Sequence, residues 1–195
     1  MKLSVPLRRV FDYPIADILA NLPDTASAVW EADRNRQKNF EVQKDTRTIL
    51  FKWLDNVWTP GMTPEIDDYD YAPPELIRAV HSYADALADQ FPSGRVVKLF
   101  LTELKAGGVI QPHTDKAAAL HAVHRCHLPI VTTDQVDFFI ERVPYHLEAG
   151  VAYEFDNTRF HAVRNRGDQN RVHLICDIMP ESIASQTQSE LQVGV

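Results

Sequence analysis

The sequence predicts a mainly β fold, a β-sandwich or jelly roll with flanking helices, folded as a single domain. After Gly94 the chain contains six or seven short segments rich in β-branched and aromatic residues, separated by turn residues. One strongly periodic helix precedes them. The chain has 195 residues, of which 45% are hydrophobic, so it can bury an ordinary core, and its length favours one domain.

Residues 1–94 are predicted to form a support segment of helix and strand packed on the core. The stretch TRTILFKWL at 46–54 predicts a strand, because β-branched and aromatic residues dominate it. Turn residues and the acidic-aromatic run 67–71 then predict a long loop over 59–74. That loop is interpreted as a solvated turn, with contact to a cationic substrate as the alternative.

The helix is predicted from residue 73 or 74 to residue 91. Apolar residues recur there at steps of three and four, from Leu76 to Phe91. Pro74 suits the first turn, and Ser93 with Gly94 supplies a stop. We expect this helix to lie against a sheet.

The core is predicted to span residues 95–180. The predicted strands are 95–104, 109–115, 125–131, 136–141, 150–155, 159–163 and 171–178. Residues 181–195 are polar and rich in Ser and Gln, and are expected to form a tail.

Charge and composition exclude several classes of protein. The net charge is -7, which argues against a nucleic-acid surface, because phosphate binding needs clustered Lys and Arg; a local basic pocket is the alternative. No apolar stretch reaches the roughly 20 residues that span a bilayer, and the first residues lack the apolar core of a signal peptide. Two cysteines, Cys126 and Cys176, suit a reducing compartment. We therefore expect a cytoplasmic protein with no membrane or nucleic-acid partner.

Imidazole is concentrated in the second half, where seven of the eight histidines lie between residues 113 and 173. His113 and Asp115 are two residues apart, so on a strand they point to the same face and can bind one metal ion. Chance produces about one such pair in a chain this rich in His and Asp, so the pair alone is weak. His161, on a later predicted strand, adds the third ligand of the two-histidine, one-carboxylate site of non-haem Fe(II) oxygenases.

Several cationic residues accompany these candidate ligands. Arg171 begins the last predicted strand, where a guanidinium can bind a carboxylate through two hydrogen bonds; a surface ion pair is the alternative. Arg125 and His127 repeat the two-residue spacing and add donors to the same face, unless Arg125 pairs with a carboxylate across the sheet. His173 is expected in the core. Trp30, Trp53 and Trp58 are expected to pack between the N-terminal segment and the sheet, with a substrate contact as the alternative.

Taken in order, the segments of residues 96–180 resemble the aspartyl/asparaginyl β-hydroxylase family of Fe(II)- and 2-oxoglutarate-dependent dioxygenases. Each segment alone is common, whereas the ordered set is specific. The segments are HTD at 113–115, RCHLP at 125–129, FDNTRFHAVRN at 155–165 and RVHLICDIMP at 171–180.

The resemblance implies a double-stranded β-helix core, a cupin-like jelly roll, over residues 95–180. It also implies Fe(II), 2-oxoglutarate and O2 as the metal, cosubstrate and oxidant. In the family pattern His113 and His161 are iron ligands, and some members have glycine where this chain has Asp115. Because the carboxylate is present here, we expect a full triad of His113, Asp115 and His161.

The resemblance further implies the residues that bind 2-oxoglutarate. Arg171 would bind its distal carboxylate, and Arg125 and His127 would assist. Thr102 matches the position of a hydroxyl residue that also contacts the cosubstrate.

The function that follows is hydroxylation of an amino-acid C–H bond, in a free amino acid or a short peptide, with release of succinate and CO2. Asp/Asn-type β-hydroxylation is among the candidates. The alternatives are a related dioxygenase that acts on another small metabolite, and a non-catalytic cupin-like module that binds metal and anion. The short chain has no helical-repeat region for a large peptide, which favours a small-molecule or short-peptide substrate. Oligomeric state is not predicted.

Overall fold

A computed structural model describes residues 2–186 of the chain. Its strands are β1 (Leu7–Asp12), β2 (Thr46–Leu54), β3 (Ile66–Asp68), β4 (Gly94–Leu104), β5 (Val109–His113), β6 (His124–Val131), β7 (Val136–Ile140), β8 (Val143–Tyr145), β9 (Val151–Phe155), β10 (His161–Asn165) and β11 (Arg171–Pro180). Its α-helices are α1 (Ala16–Ala20), α2 (Asn35–Asn39), α3 (Pro74–Ala88), α4 (Ala118–His121) and α5 (Glu181–Ala184). Two short 3₁₀ turns lie at Ala28–Glu31 and Glu41–Gln43.

The strands form two antiparallel sheets that face each other. The large sheet has seven strands in the order β1-β9-β6-β11-β4-β2-β3, and the small sheet has four in the order β5-β10-β7-β8. Apolar side chains from both sheets make one buried cluster, with Leu104 and Phe155 from the large sheet against Phe138 and Val163 from the small one. The predicted mainly β jelly roll is confirmed.

Strand β11 lies in the middle of the large sheet, and its two faces are covered, so every residue from Arg171 to Met179 is buried. Leu174 and Cys176 point to the outer face and join the apolar core. Arg171, His173 and Asp177 alternate with them and therefore point to the inner face, between the sheets. The inner face of a central strand thus carries buried polar groups.

Helix α3 covers the outer face of the large sheet. Its buried residues Leu76, Val80, Ala84 and Leu87 follow the three- and four-residue spacing of one helical face. They pack with outward-facing residues of the central strands in the same cluster. The helix ends at Ala88, three residues before the predicted end.

The N-terminal support segment is built into the large sheet. Strand β1 pairs with β9, and β2 pairs with both β4 and β3. The short strands β1 and β3 were not predicted, and β3 falls in the stretch predicted as a loop. Its three residues carry no strand-forming pattern, and it is held by pairing with β2, where the Lys52 ammonium lies 2.5 Å from the Asp68 carboxylate.

Cys126 and Cys176 meet across neighbouring strands. Their Cα atoms are register partners on β6 and β11, and both side chains are buried as free thiols. Burial, the largest cause, raises the pKa of both thiols well above its ordinary value, so they are neutral packing groups.

The first residues of the predicted tail form α5, and positions 187–195 lie outside the described residues. Within residues 2–186, every helix is too short or too polar to cross a membrane.

The contact between α3 and the sheet is testable through Leu76, which is fully buried. We expect Leu76→Ala to lower the free energy of unfolding by about 2–5 kcal/mol, because truncation removes apolar contacts and leaves a cavity. Urea denaturation monitored by circular dichroism measures the change. Leu19→Ala is the control, since Leu19 is 48% exposed, and we expect a loss below about 1 kcal/mol there. Equal losses in the two variants would show that α3 is not part of the core.

Candidate active site

The three predicted metal ligands lie close together, where β5 ends and β10 begins in the small sheet. His113 ends β5 and His161 begins β10, and their Cα atoms are register partners. Their ring centroids are 4.3 Å apart. Asp115 lies two residues beyond β5, in a loop rather than on the predicted strand. One ligand atom from each residue lies within 4.8 Å of the other two.

Both imidazoles are oriented with Nε2 free to bind a metal. The Nδ1 of His113 is 2.7 Å from the carbonyl oxygen of Gln111, and the Nδ1 of His161 is 2.9 Å from that of Arg159. A carbonyl oxygen only accepts, so each Nδ1 carries the proton and each Nε2 carries a lone pair. Metal-binding histidines commonly have this arrangement, so two nitrogens and a carboxylate here fit a divalent iron.

Asp115 is held by hydrogen bonds from two side chains. Its Oδ2 accepts from Nη1 of Arg125 at 2.6 Å and from Nδ2 of Asn157 at 3.0 Å. Burial opposes ionisation of Asp115, but Arg125, His161 and Asn157 outweigh it and lower its pKa. The carboxylate is therefore ionised, as a metal ligand must be.

Arg125 is held in turn by a second carboxylate below it. Its Nε and Nη2 donate to the two oxygens of Asp177 at 2.9 and 2.7 Å, and Asp177 is fully buried. Burial lowers the pKa of Arg125, but Asp177 and Asp115 raise it more. Arg125 thus lies beside the metal ligands with both neighbouring carboxylates paired to it.

Arg171, by contrast, is a buried cation without a carboxylate partner among the described residues. It is 1% exposed, its Nη2 donates to Nδ1 of His173 at 2.6 Å, and its Nε has no hydrogen-bond partner. Burial lowers its pKa to about 9. An unpaired buried charge is costly, so this site is suited to an anion.

Thr102 and His127 lie near Arg171 on the inner face of the large sheet. The Thr102 hydroxyl is buried without a partner, and Thr102 is the register partner of His173. The His127 ring packs edge-on against Phe155, with centroids 4.9 Å apart. Burial and then Arg171 lower the pKa of His127 well below its ordinary value, so the ring is neutral.

Two cavities meet at the predicted metal ligands His113 and Asp115. The inner cavity, the smaller one, contains the unpartnered groups of Arg171 and Thr102 and is walled by Phe138 and Phe155. Its polar lining is Arg36, Gln43, Thr102, His113, Asp115, Arg125, His127, His161 and Arg171. Free donors beside a set of metal ligands fit a small molecule that binds the metal at one end and carries a carboxylate at the other.

The outer cavity has a volume of about 350 Å³ and shares His113 and Asp115 with the inner cavity. Trp53 and Phe100 line it together with Lys98 and Arg36. Trp53 therefore faces a cavity, whereas Trp30 and Trp58 are buried in apolar clusters as expected.

Asn157, Asp177 and Lys98 were not predicted from the sequence. The spacing along β11 could have indicated Asp177, because it lies six residues after Arg171 and therefore on the same face of the strand. Lys98 likewise shares a strand face with Thr102 in an otherwise apolar stretch. Asn157 belongs to a turn, and no strand spacing points to it.

The family model described as aspartyl/asparaginyl beta-hydroxylase matches residues 21–180. No curated protein shows significant sequence similarity to the chain.

Several solved structures share the fold. A 2OG-Fe(II) oxygenase family oxidoreductase from Burkholderia pseudomallei is 16% identical, with a TM-score of 0.52, covering 88% of this chain and 93% of its own. A non-heme monooxygenase in complex with nickel is 16% identical, with a TM-score of 0.55, and the match covers 90% of this chain and 74% of the monooxygenase chain. The viral collagen prolyl hydroxylase of Paramecium bursaria Chlorella virus 1, in complex with 2OG, is 8% identical, with a TM-score of 0.55, covering 91% and 97%. At these identities the likeness establishes the fold.

The outer cavity generates a prediction about stability and pH. Burial, the main cause, lowers the pKa of Lys98 from 10.5 to about 7. The folded state thus binds this proton less tightly than the unfolded state, so its contribution to stability rises with pH between about 7 and 10.5. Below pH 7 Lys98 is charged in the folded protein, so the full free-energy cost of burying its ammonium group is present. We therefore expect Lys98→Met to be more stable than the wild type below pH 7.

Urea unfolding at about pH 6 and about pH 9 measures this effect, and the advantage of Lys98→Met should shrink by more than about 1 kcal/mol between them. Lys52→Met is the control, because Lys52 is on the neighbouring strand and is paired with Asp68. A stability difference between wild type and Lys98→Met that does not change with pH would contradict the expectation.

Proposed function

Because the chain belongs to the aspartyl/asparaginyl β-hydroxylase family, and is thus a 2-oxoglutarate-dependent non-haem iron oxygenase, we propose that it hydroxylates an amino-acid C–H bond. The substrate would be a free amino acid or a short peptide, and Asp/Asn-type β-hydroxylation is one candidate reaction. The observation that carries the proposal is the buried guanidinium of Arg171, which has a free Nε and no carboxylate partner among residues 2–186, in one cavity with His113, Asp115 and His161.

We assign Nε2 of His113, Nε2 of His161 and a carboxylate oxygen of Asp115 as the ligands of Fe(II). The iron, with 2-oxoglutarate and O2, supplies oxidative decarboxylation to succinate and CO2 coupled to hydroxylation of the substrate. Asn157 and Arg125 occupy Oδ2 of Asp115, which leaves Oδ1 for the metal. The backbone carbonyls at 111 and 159 keep the imidazoles in the required tautomer.

The cosubstrate is assigned to the inner cavity. Arg171 would bind its distal carboxylate with the free Nε and the adjacent Nη2, and the Thr102 hydroxyl would donate a further hydrogen bond. His127 is neutral and lines the same cavity. Arg125, already shared by two carboxylates, would act mainly by positioning Asp115 and by adding positive charge beside the metal. Phe138 and Phe155 supply apolar walls to this space.

The proposal is tested by succinate release with Fe(II) and 2-oxoglutarate over a panel of free amino acids and short peptides, with hydroxylated product identified by mass spectrometry. We expect turnover in the wild type, and loss of both bound iron and activity in His161→Ala, because one of three ligands is removed. His146→Ala is the control, since His146 is exposed and lies outside both cavities. Bound iron without succinate release would support the non-catalytic binding module, and near-wild-type iron in His161→Ala would overturn the ligand assignment.

Arg171→Ala separates cosubstrate binding from metal binding. We expect the KM for 2-oxoglutarate to rise by about tenfold or more, because a charge-assisted anchor is lost, while the iron content stays near one per chain. Steady-state succinate release and iron determination measure the two effects. Arg166→Ala is the control, since Arg166 is half exposed and pairs with Asp137. If the KM changed by less than about a factor of two, the carboxylate of 2-oxoglutarate would be bound elsewhere.

A further inference from the structure

The outer cavity contains two cations that no carboxylate of residues 2–186 neutralises, Lys98 and Arg36. We propose that this cavity binds the substrate through a free carboxylate at Lys98 and Arg36, with the apolar or aromatic body of the substrate against Trp53 and Phe100. The inference rests on the proposed function and narrows the substrate to a small carboxylic acid, such as a free amino acid.

Lys98 is a buried ammonium that lines an open cavity. Its side chain lies on the inner face of β4 and is 1% exposed. Its Nζ donates to Oδ1 of Asn56 at 2.5 Å and lies 4.0 Å from the ring centroid of Trp53. An ammonium has three hydrogens, so one amide oxygen and one ring face leave donor capacity toward the cavity. A carboxylate bound there would compensate a desolvated charge.

Arg36 supplies a second cation beside the same aromatic pair. It is carried by the short helix α2, and its Cζ lies 4.8 Å from the ring centroid of Phe100. Its one described hydrogen bond runs from Nη1 to the hydroxyl of Thr48, at 3.3 Å. The guanidinium therefore has unused donors in a fork that suits a carboxylate.

Arg125 lines the same cavity and, unlike Lys98 and Arg36, is neutralised by carboxylates. It donates three hydrogen bonds of 2.6–2.9 Å to Asp115 and Asp177. Lys98 and Arg36 have no such partners, although both carboxylates lie in their vicinity and act on their charge. The positive charge of Lys98 and Arg36 is thus left without a directly paired carboxylate in this cavity.

The walls of the outer cavity fit a flat or apolar body. Trp53 and Phe100 pack edge to face, with centroids 5.6 Å apart and planes at 69°. His113 and Asp115 belong to the lining of the same cavity. A carboxylate at Lys98 would therefore hold the body of the substrate in the space that the aromatic pair shares with His113 and Asp115, as hydroxylation of a C–H bond at that site requires. The volume of about 350 Å³ lies within the range of small-molecule sites.

Lys98 distinguishes the two anion sites. Arg36 lines both cavities, whereas Lys98 lines only the outer one. A substitution of Lys98 should therefore weaken substrate binding and leave 2-oxoglutarate binding unchanged. A cation that served the cosubstrate would affect both.

The test uses the protein loaded with Fe(II) and 2-oxoglutarate under nitrogen, so that binding is measured without turnover. Matched acids and amides are titrated by calorimetry: L-phenylalanine with L-phenylalaninamide, L-leucine with L-leucinamide, and phenylacetate with phenylacetamide. We expect the acids to bind more tightly than their amides by about tenfold or more. Lys98→Met should abolish that preference and Arg36→Met should reduce it, while Lys52→Met retains it.

Three results would overturn the inference. Acids and amides of equal affinity would show that no carboxylate is recognised, and so would the absence of binding by every acid at millimolar concentration. A Lys98→Met variant whose affinity for 2-oxoglutarate falls by the same factor as its affinity for the acids would place the lysine in the cosubstrate site. Circular dichroism and iron content verify that each variant is folded and loaded.

The proposed function and this inference fail in different ways. Succinate release with acids that bind no better than amides would leave the oxygenase proposal intact and remove the substrate site. Acid-selective binding that depends on Lys98, without succinate release from any acid or peptide, would retain the site and remove the hydroxylation proposal.

Discussion

The candidate active site depends on one chain of largely buried ion pairs, from Asp177 through Arg125 to Asp115. Asp177 lies on the central strand of the large sheet, whereas Asp115 follows a strand of the small sheet, so the chain joins the two sheets. Asp115 belongs to no strand, and its position is set by Arg125 and Asn157. Removing one member of a buried ion pair typically costs about 3–5 kcal/mol, because a charge is left unpaired. The position of Asp115, the proposed third metal ligand, thus depends on this chain of ion pairs.

The cations of the site divide into two kinds, and this division explains where ligands are expected. Arg125 is compensated by the protein itself. Arg171 and Lys98 are equally buried but lack carboxylate partners among residues 2–186, and burial lowers the pKa of both. Such groups reduce the stability of the unliganded protein and strengthen the binding of anions, since an anion then replaces a missing partner. Arg171 lines the inner cavity, Lys98 lines the outer one and Arg36 lines both, and His113 and Asp115 also line both cavities.

The large sheet can carry these buried polar groups because one of its faces is apolar and the other is polar. On β11, Leu174 and Cys176 pack into the core under α3, while Arg171 and Asp177 point inward. The apolar outer face supplies the hydrophobic stabilisation that a polar inner face cannot. Desolvation of the inner face then strengthens each electrostatic contact made there.

The sequence by itself determined the helix α3, the polar faces and eight of the eleven strands of residues 2–186, all but the short β1, β3 and β8, because those features follow from local propensity and from side-chain alternation along a strand. Alternation also placed Arg171 with His173, and Arg125 with His127, on shared faces. The tertiary structure alone decided that Asp115 leaves its strand, that Arg125 is bound by Asp177, and that Lys98 lines a second cavity. These facts depend on strand register and on the packing of sheets distant in sequence, and neither is encoded in the spacing of neighbouring residues.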